Sequence, residues 1–346
     1  MTTRKDKTGS RTFGGLPPGG RRKTTFELRT LLTTWPAGTN APSYGPLFEA
    51  TLGGGPVYFP GGTLAAGSSA TTLHFAAAHG LVTGQAVTYL GDLRFVAAVL
   101  DPLSVLLNAP LSTTPIAGAS AGATATYVPS TELPSVSVFD YWDPNSAVHR
   151  ILCGAGVDQM SVKVNGDYQE FAFSGVAQEL LDSTSFSGGI GGLTSFPAEP
   201  PLGAFDYSIV PGHLGQVWLG NGPDQFFTLT GAELVASNNL DMRAREFGTG
   251  LPRALSPGTR AVSINFELYQ QDDTATKALY QAAKQQSPIT AMLQLGQQPN
   301  QLFGAYLQSV LPEVPEFDDK TNRLQWRFSS SRAQGTVNDE IRVAFG

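Results

Sequence analysis

The chain has 346 residues and a formal net charge of −6, and only 14% of its residues are charged, against about 25% in an ordinary globular domain. Its 39 Gly and 24 Pro favour turns and short strands over long helices, while 41% hydrophobic residues exclude a wholly disordered chain. The lone Cys153 excludes an internal disulfide framework or a multi-Cys zinc site, and Asp101, Pro102 and Asn108 interrupt the most apolar run, so no membrane helix fits.

Residues 1–24 read as a flexible basic arm with no secretory pattern, which fits a soluble protein of a reducing compartment. Positions 1–23 hold Arg4, Lys5, Lys7, Arg11, Arg21, Arg22 and Lys23 against Asp6 alone, so this stretch carries +6 and the rest of the chain −12. Such an arm either docks on an acidic neighbour, such as a second copy, or is a solvated tail. Nucleic-acid binding is disfavoured because the acidic remainder would repel phosphates.

Residues 25–54 and 129–185 read as one β-rich domain interrupted by residues 55–128. The interruption lies between Gly53-Gly54-Gly55-Pro56 and a small-residue run at 117–126. Inside it, Leu73 to Phe75, Gln85 to Leu90, Leu93 to Leu100 and Ser104 to Leu107 are short apolar runs separated by turn signals. They predict a small inserted antiparallel barrel or sandwich. Beyond Asp140, an extra loop is expected from Tyr141 to Gly156, and residues 186–204 form a linker whose Gly-rich start falls within Ser185 to Leu193.

Residues 205–346 predict a second β-rich domain. Gly215 to Leu219, Gln225 to Thr230 and Leu234 to Arg243 read as strands, with turns at Asn221-Gly222 and Thr230-Gly231. Ala261 to Tyr269 alternates, with Val262, Ile264, Phe266 and Leu268 on one face and Ser263, Asn265, Glu267 and Tyr269 on the other. Asp272 or Asp273 can cap a helix in which Ala275, Ala278, Leu279 and Ala282 share a face. Ala291 to Leu295, Leu302 to Leu307, Arg323 to Phe328 and Ile341 to Phe345 complete the strands.

Four anchors occur twice in the same order: Phe26-Glu27-Leu28 and Phe266-Glu267-Leu268; Leu47-Phe48-Glu49-Ala50 and Leu279-Tyr280-Gln281-Ala282; Leu133 to Asp140 and Leu311 to Asp318, sharing Leu-Pro-x-Val-x-x-Phe-Asp; and Phe171-Ala172-Phe173-Ser174 and Trp326-Arg327-Phe328-Ser329. Collinearity favours a duplicated domain. The fold class expected is mainly β (α+β): two tandem antiparallel β-sandwich domains, each with one short helix, plus the inserted β-domain.

A strand ending Phe-Glu-Leu, a short helix with Leu-Tyr-x-Ala, then Leu-Pro-x-Val and a closing Trp-x-Phe-Ser followed by Asn338-Asp339-Glu340-Ile341 resembles the tail tube proteins of long-tailed, siphovirus-like bacteriophages. Asn238-Asn239-Leu240 with Arg243 and Phe247-Gly248 is similar to that family's opening hairpin, and Gly154 to Ala177 to its first domain. The resemblance covers about 25–54, 129–185 and 205–346; the insert and the missing opening strands of the first copy depart from it. It implies a virion structural protein that self-assembles into stacked rings, trimeric with pseudo-six-fold symmetry. DNA would pass through the lumen during ejection without specific binding. Implied partners are further copies and tail proteins such as the tape measure and terminator, with no membrane. The alternative is another virion tail β-protein, a distal tail component or a host- or carbohydrate-recognition module.

On this reading Glu27, Glu170 and Glu267 fall on the polar phase of their strands. They line the lumen as an acidic, base-poor wall that repels phosphates, or else face outer solvent. Ring stacking would use the arm, including Arg21, Arg22 and Lys23, the extra loop with Tyr141, Trp142 and Asp143, or the Gly-rich segment Ser185 to Leu193.

No enzyme, cofactor or metal is expected. His74, His79, His149 and His213 are scattered, and Cys153 lies in an apolar context that suits a buried small residue. Gly188 to Gly192 lacks a phosphate-loop Lys, and the Asp140/Asp143 and Asp318/Asp319 pairs fall at equivalent turns, which favours a structural role over paired catalytic carboxylates.

Overall fold

The computed structural model of the chain describes residues 23–36, 38–141, 148–164, 166–198, 208–220, 222, 225–226, 228–243, 247–248, 250–319 and 323–346. Among them the fold is mainly β, with two α-helices. The first half opens with β1 (Thr24–Leu31) and α1 (Gly45–Leu52). The insert follows: β2 (Val57–Phe59), β3 (Gly62–Thr63), β4 (Thr72–His74), β5 (Ala86–Tyr89), β6 (Asp92–Asp101), β7 (Ser104–Leu107), β8 (Ser120–Ala121) and β9 (Thr124–Tyr127). The first half resumes with β10 (Val136–Asp140), β11 (Arg150–Val164) and β12 (Gln169–Asp182). The second half holds β13 (Gly215–Leu219), β14 (Leu229–Ser237), β15 (Asp241–Met242), β16 (Leu255–Ser256), β17 (Ala261–Tyr269) and α2 (Thr274–Gln285). It ends with β18 (Ile289–Leu295), β19 (Phe303–Leu311), β20 (Glu316–Asp318), β21 (Gln325–Ala333) and β22 (Arg342–Phe345).

One antiparallel ladder crosses both halves in the order β1-β12-β11-β14-β17-β21 and continues through β19, β22 and β9 to β2. The repeated anchors occupy matching elements. The Phe-Glu-Leu strands β1 and β17 pair with the strands β12 and β21 that carry aromatic-x-Phe-Ser. The third anchor leads into β10 and β20, each paired with the long strand that follows it. The registers are offset: Leu28 faces Phe173, whereas Leu268 faces Trp326. The offset is two residues, so the same side chains stay inward.

β11 corrects the sequence reading. The stretch 150–156, expected in a loop, is the first half of a 15-residue strand. Gly154 at φ +59 and the register shift between Val157 and Gln159 mark irregularities that the β10 and β12 neighbours absorb. The expected Thr230-Gly231 turn is likewise a bulge within β14, opposite Glu267 and Leu268. The strand expected at 225–230 starts only at Leu229, because Phe226 folds back, donating its N–H to the Val217 carbonyl and entering the core. The strand expected to reach Arg243 stops at Ser237; the buried Asn238 amide then donates to the Thr51 carbonyl (2.8 Å) and the Val157 carbonyl (3.0 Å). Asn221 lies outside the described residues.

The two halves share one core. Phe48 of α1 meets Phe171 and Phe173 of its own half and Phe303 and Phe345 of the other, with ring centroids 5.1–5.7 Å apart. α1 has Pro46 in its first turn, no side-chain cap, and ends at Gly53 in a left-handed conformation, where a Cβ would lie 2.2 Å from the Glu132 carbonyl oxygen. α2 is capped by Asp273, whose carboxylate accepts from the Thr276 N–H at 2.6 Å. Its buried stripe is Thr276, Leu279 and Ala283; Ala278, expected inside, is exposed.

The insert has its own core, built around Leu73, Phe75, Val96 and Val105. It is also welded to the second half: β9 pairs with β22, and Leu93 and Phe95 pack with Trp218, Met292 and Leu302. Arg94, fully buried at this seam, donates all five of its N–H groups. Nε bonds the Pro110 carbonyl, Nη1 bonds the Leu93 carbonyl and Gln294, and Nη2 bonds Asp92 and Gln216. Its guanidinium lies 4.2 Å over the Trp218 ring, and burial lowers its pKa to about 10.

Candidate assembly surface

Alternation along the six crossing strands gives one buried and one polar face. Glu27, Glu170 and Glu267 all project from the polar face, as their strand phase predicts. The base-poor wall expected there is corrected. Arg29 binds Glu27 at 2.7 Å and approaches Glu170 at 3.9 Å, and Arg327 binds Glu267 at 2.5 Å. Lys163 stands in register between Glu170 on β12 and Glu233 on β14. The physical reason is spacing and register together: Arg29 sits two positions from Glu27 on the same face of β1, while Lys163 and Arg327 are brought opposite their acids by strand pairing, and opposite charges placed side by side attract. The Glu27 hydrogen bond raises the pKa of Arg29 above its ordinary value. Lys163, Glu233 and Arg327 were missed in the sequence; their signal was the polar phase between Val162 and Val164, Ala232 and Leu234, and Trp326 and Phe328.

The β1 border of this ladder is open, while at the other border β21 pairs with β19 and with the short edge strand β20. β1 pairs only with β12, and β20 only with β21, among the described residues. The two edge strands that carry the third anchor each expose a Phe at the same anchor position, Phe139 at 46% and Phe317 at 56%. Next to Phe139, at the end of β10, Asp140 pairs with Arg150 at 2.5 Å, while the Tyr141 ring lies 4.4 Å from that of His149 and its hydroxyl donates to the Pro197 carbonyl at 3.0 Å. Tyr141 therefore belongs to a packed aromatic tip. Of the stacking residues named from sequence, Lys23 is exposed just before β1, whereas Arg21, Arg22, Trp142 and Asp143 lie outside the described residues.

The two histidines of the insert make local contacts. His79 accepts the Leu81 N–H at Nδ1 (2.9 Å) with Nε2 3.1 Å from the Asp101 carbonyl, and His74 lies 2.8 Å from the Ser104 hydroxyl. No group of three or more metal-ligating side chains occurs among the described residues. Cys153 is half-buried rather than buried, and burial, then Glu179, raises its thiol pKa away from the reactive thiolate. No helix among the described residues is long and apolar enough to cross a membrane. A comparison with protein-family models finds no match, and no curated protein matches the chain.

Proposed function

We propose that this chain is a structural subunit of a bacteriophage tail tube, forming stacked rings around a channel that conducts DNA. The observation that carries the reading is the antiparallel ladder that runs unbroken from β1 to β21 through both halves and, among the described residues, stops at an unpaired β1 border. An exposed sheet border is an aggregation hazard unless a neighbour pairs with it, and closure into a ring removes it. The six strands alternate in direction, so a second copy can continue the same alternation beyond β1. On this reading the polar face lines the channel, and its interleaved ion pairs leave few free bases to hold DNA phosphates.

Negative-stain microscopy and mass measurement of the purified chain test the reading. Rings or hollow tubes, with a ring mass of about three chains, are expected. Compact monomers that bind glycans would replace the tube reading with that of a recognition module.

A further inference from the structure

At one end of the polar face lies a cleft of about 840 Å³. It opens where β14 ends, β17 begins and β21 ends, and the connector after the insert supplies Ser130 and Thr131 to its wall. Its chemistry is cationic and rich in donors. Arg260 is held by Glu340 (2.8 Å) and the Ser130 carbonyl (2.5 Å), yet its Nε, closed off from solvent, has no acceptor. Arg332 is exposed on the same wall, and its guanidinium has no hydrogen-bond or ion-pair partner among the described residues. Ser263 and Thr336 add hydroxyls. A lone guanidinium beside a row of hydroxyls is suited to carboxylates.

The opposite end of the same ladder has the complementary charge. The ladder register places the β11–β12 turn, the turn after β17 and the turn after β20 at one end: Val164 faces Gln169 and Ala232, Tyr269 faces Gln325, and Asp318 faces Gln325. These turns carry Asp167, Asp272, Asp273, Asp318 and Asp319, against Lys320 and Arg323. The described bases beside them are Lys277, which pairs with Asp272, and Arg323, which lies over the Tyr269 ring.

We propose that the Arg332 cleft is the socket for the acidic strand end of a second copy, so that copies meet head to tail along the strand direction. This rests on the tube-subunit reading and names the surface through which one ring would bind the next. Each exposed ion pair is weak on its own. A ring presents one socket per copy, and simultaneous engagement multiplies the weak contacts.

The test uses the full chain, with ring mass read by sedimentation and tube fraction by negative-stain microscopy at low and high salt. Arg332→Glu is expected to keep the thermal midpoint and the ring mass while lowering the tube fraction at least about tenfold, a difference of about 1.4 kcal/mol. Arg332→Gln, a milder change at the same exposed site, is expected to give an intermediate loss. Asp319→Arg should also block tubes, and combining it with Arg332→Glu should restore them. Tubes formed by Arg332→Glu as readily as by the wild type would overturn the socket while leaving the ring reading intact. Normal tubes with altered DNA retention would reassign the cleft to polyanions and likewise overturn it. A wild-type chain that stays monomeric at every concentration would overturn both.

Discussion

The two helices carry the same Leu-aromatic-x-Ala anchor and follow the same Phe-Glu-Leu strand, yet they live in different environments. α1 lies inside, with Phe48 fully buried among aromatic rings from both halves; α2 lies on the surface, with Tyr280 half-buried against Trp326 (5.3 Å) and Phe317 (6.3 Å). The short α1 needs no side-chain cap because tertiary packing holds it, whereas the longer α2 uses Asp273. A duplicated motif therefore does not guarantee a duplicated energetic role. The half that received the insert gave its helix to the common core.

The largest expected effect tests that contrast directly. Phe48→Ala should destabilise the chain by about 3–5 kcal/mol in urea unfolding, because it opens a cavity among rings that cannot collapse. Tyr280→Ala should cost about 1–2 kcal/mol, the scale of one or two aromatic pairs. Equal losses would break the comparison.

The seam between insert and second half comes next. Arg94→Lys keeps a charge but cannot satisfy five acceptors, and it strands Asp92, Gln216 and Gln294. A loss of about 3 kcal/mol is expected, with the insert unfolding in a separate earlier transition. A single unchanged transition would show that the β9–β22 pairing alone holds the insert.

Asp273→Ala should cost about 1 kcal/mol in thermal unfolding, the ordinary value of an N-terminal cap. No equivalent change exists at α1, whose cap position, Tyr44, makes no such bond.

The smallest effect concerns the turn after β12. The Asp182 carboxylate accepts from the side chains of Ser185 and Thr184 and from their N–H groups, which lowers its pKa from 3.8 to about 2. A depressed folded pKa stabilises the turn fully above about 3.8 and loses that contribution as pH falls through about 2. An NMR titration should place the Asp182 midpoint near 2, and Ser185→Ala should move it towards 3.8.

Much of the second half was legible because single-strand alternation is a local signal: Ala261 to Tyr269 forms β17 with the expected faces, and Asp273 caps α2. The polar phase of Glu27, Glu170 and Glu267 was legible for the same reason. β11 was not, because Gly154 and Gly156 read as a loop and the strand exists through its neighbours β10, β12 and β14. Lys163 and Arg327 were also hidden, since register across strands has no marker within either strand, whereas Arg29 stands two positions from Glu27 on the same strand.

By itself, the amino-acid order determined which residues alternate, where helices can begin and which stretches resemble one another, since each depends on neighbours a few positions apart. Only the tertiary structure decided that the two halves share a core, that Arg94 locks the insert in place, and that one strand end is basic and hydroxyl-rich while the other is acidic. Those outcomes depend on pairings between residues tens to a few hundred positions apart, where burial and charge are set by the partner that arrives.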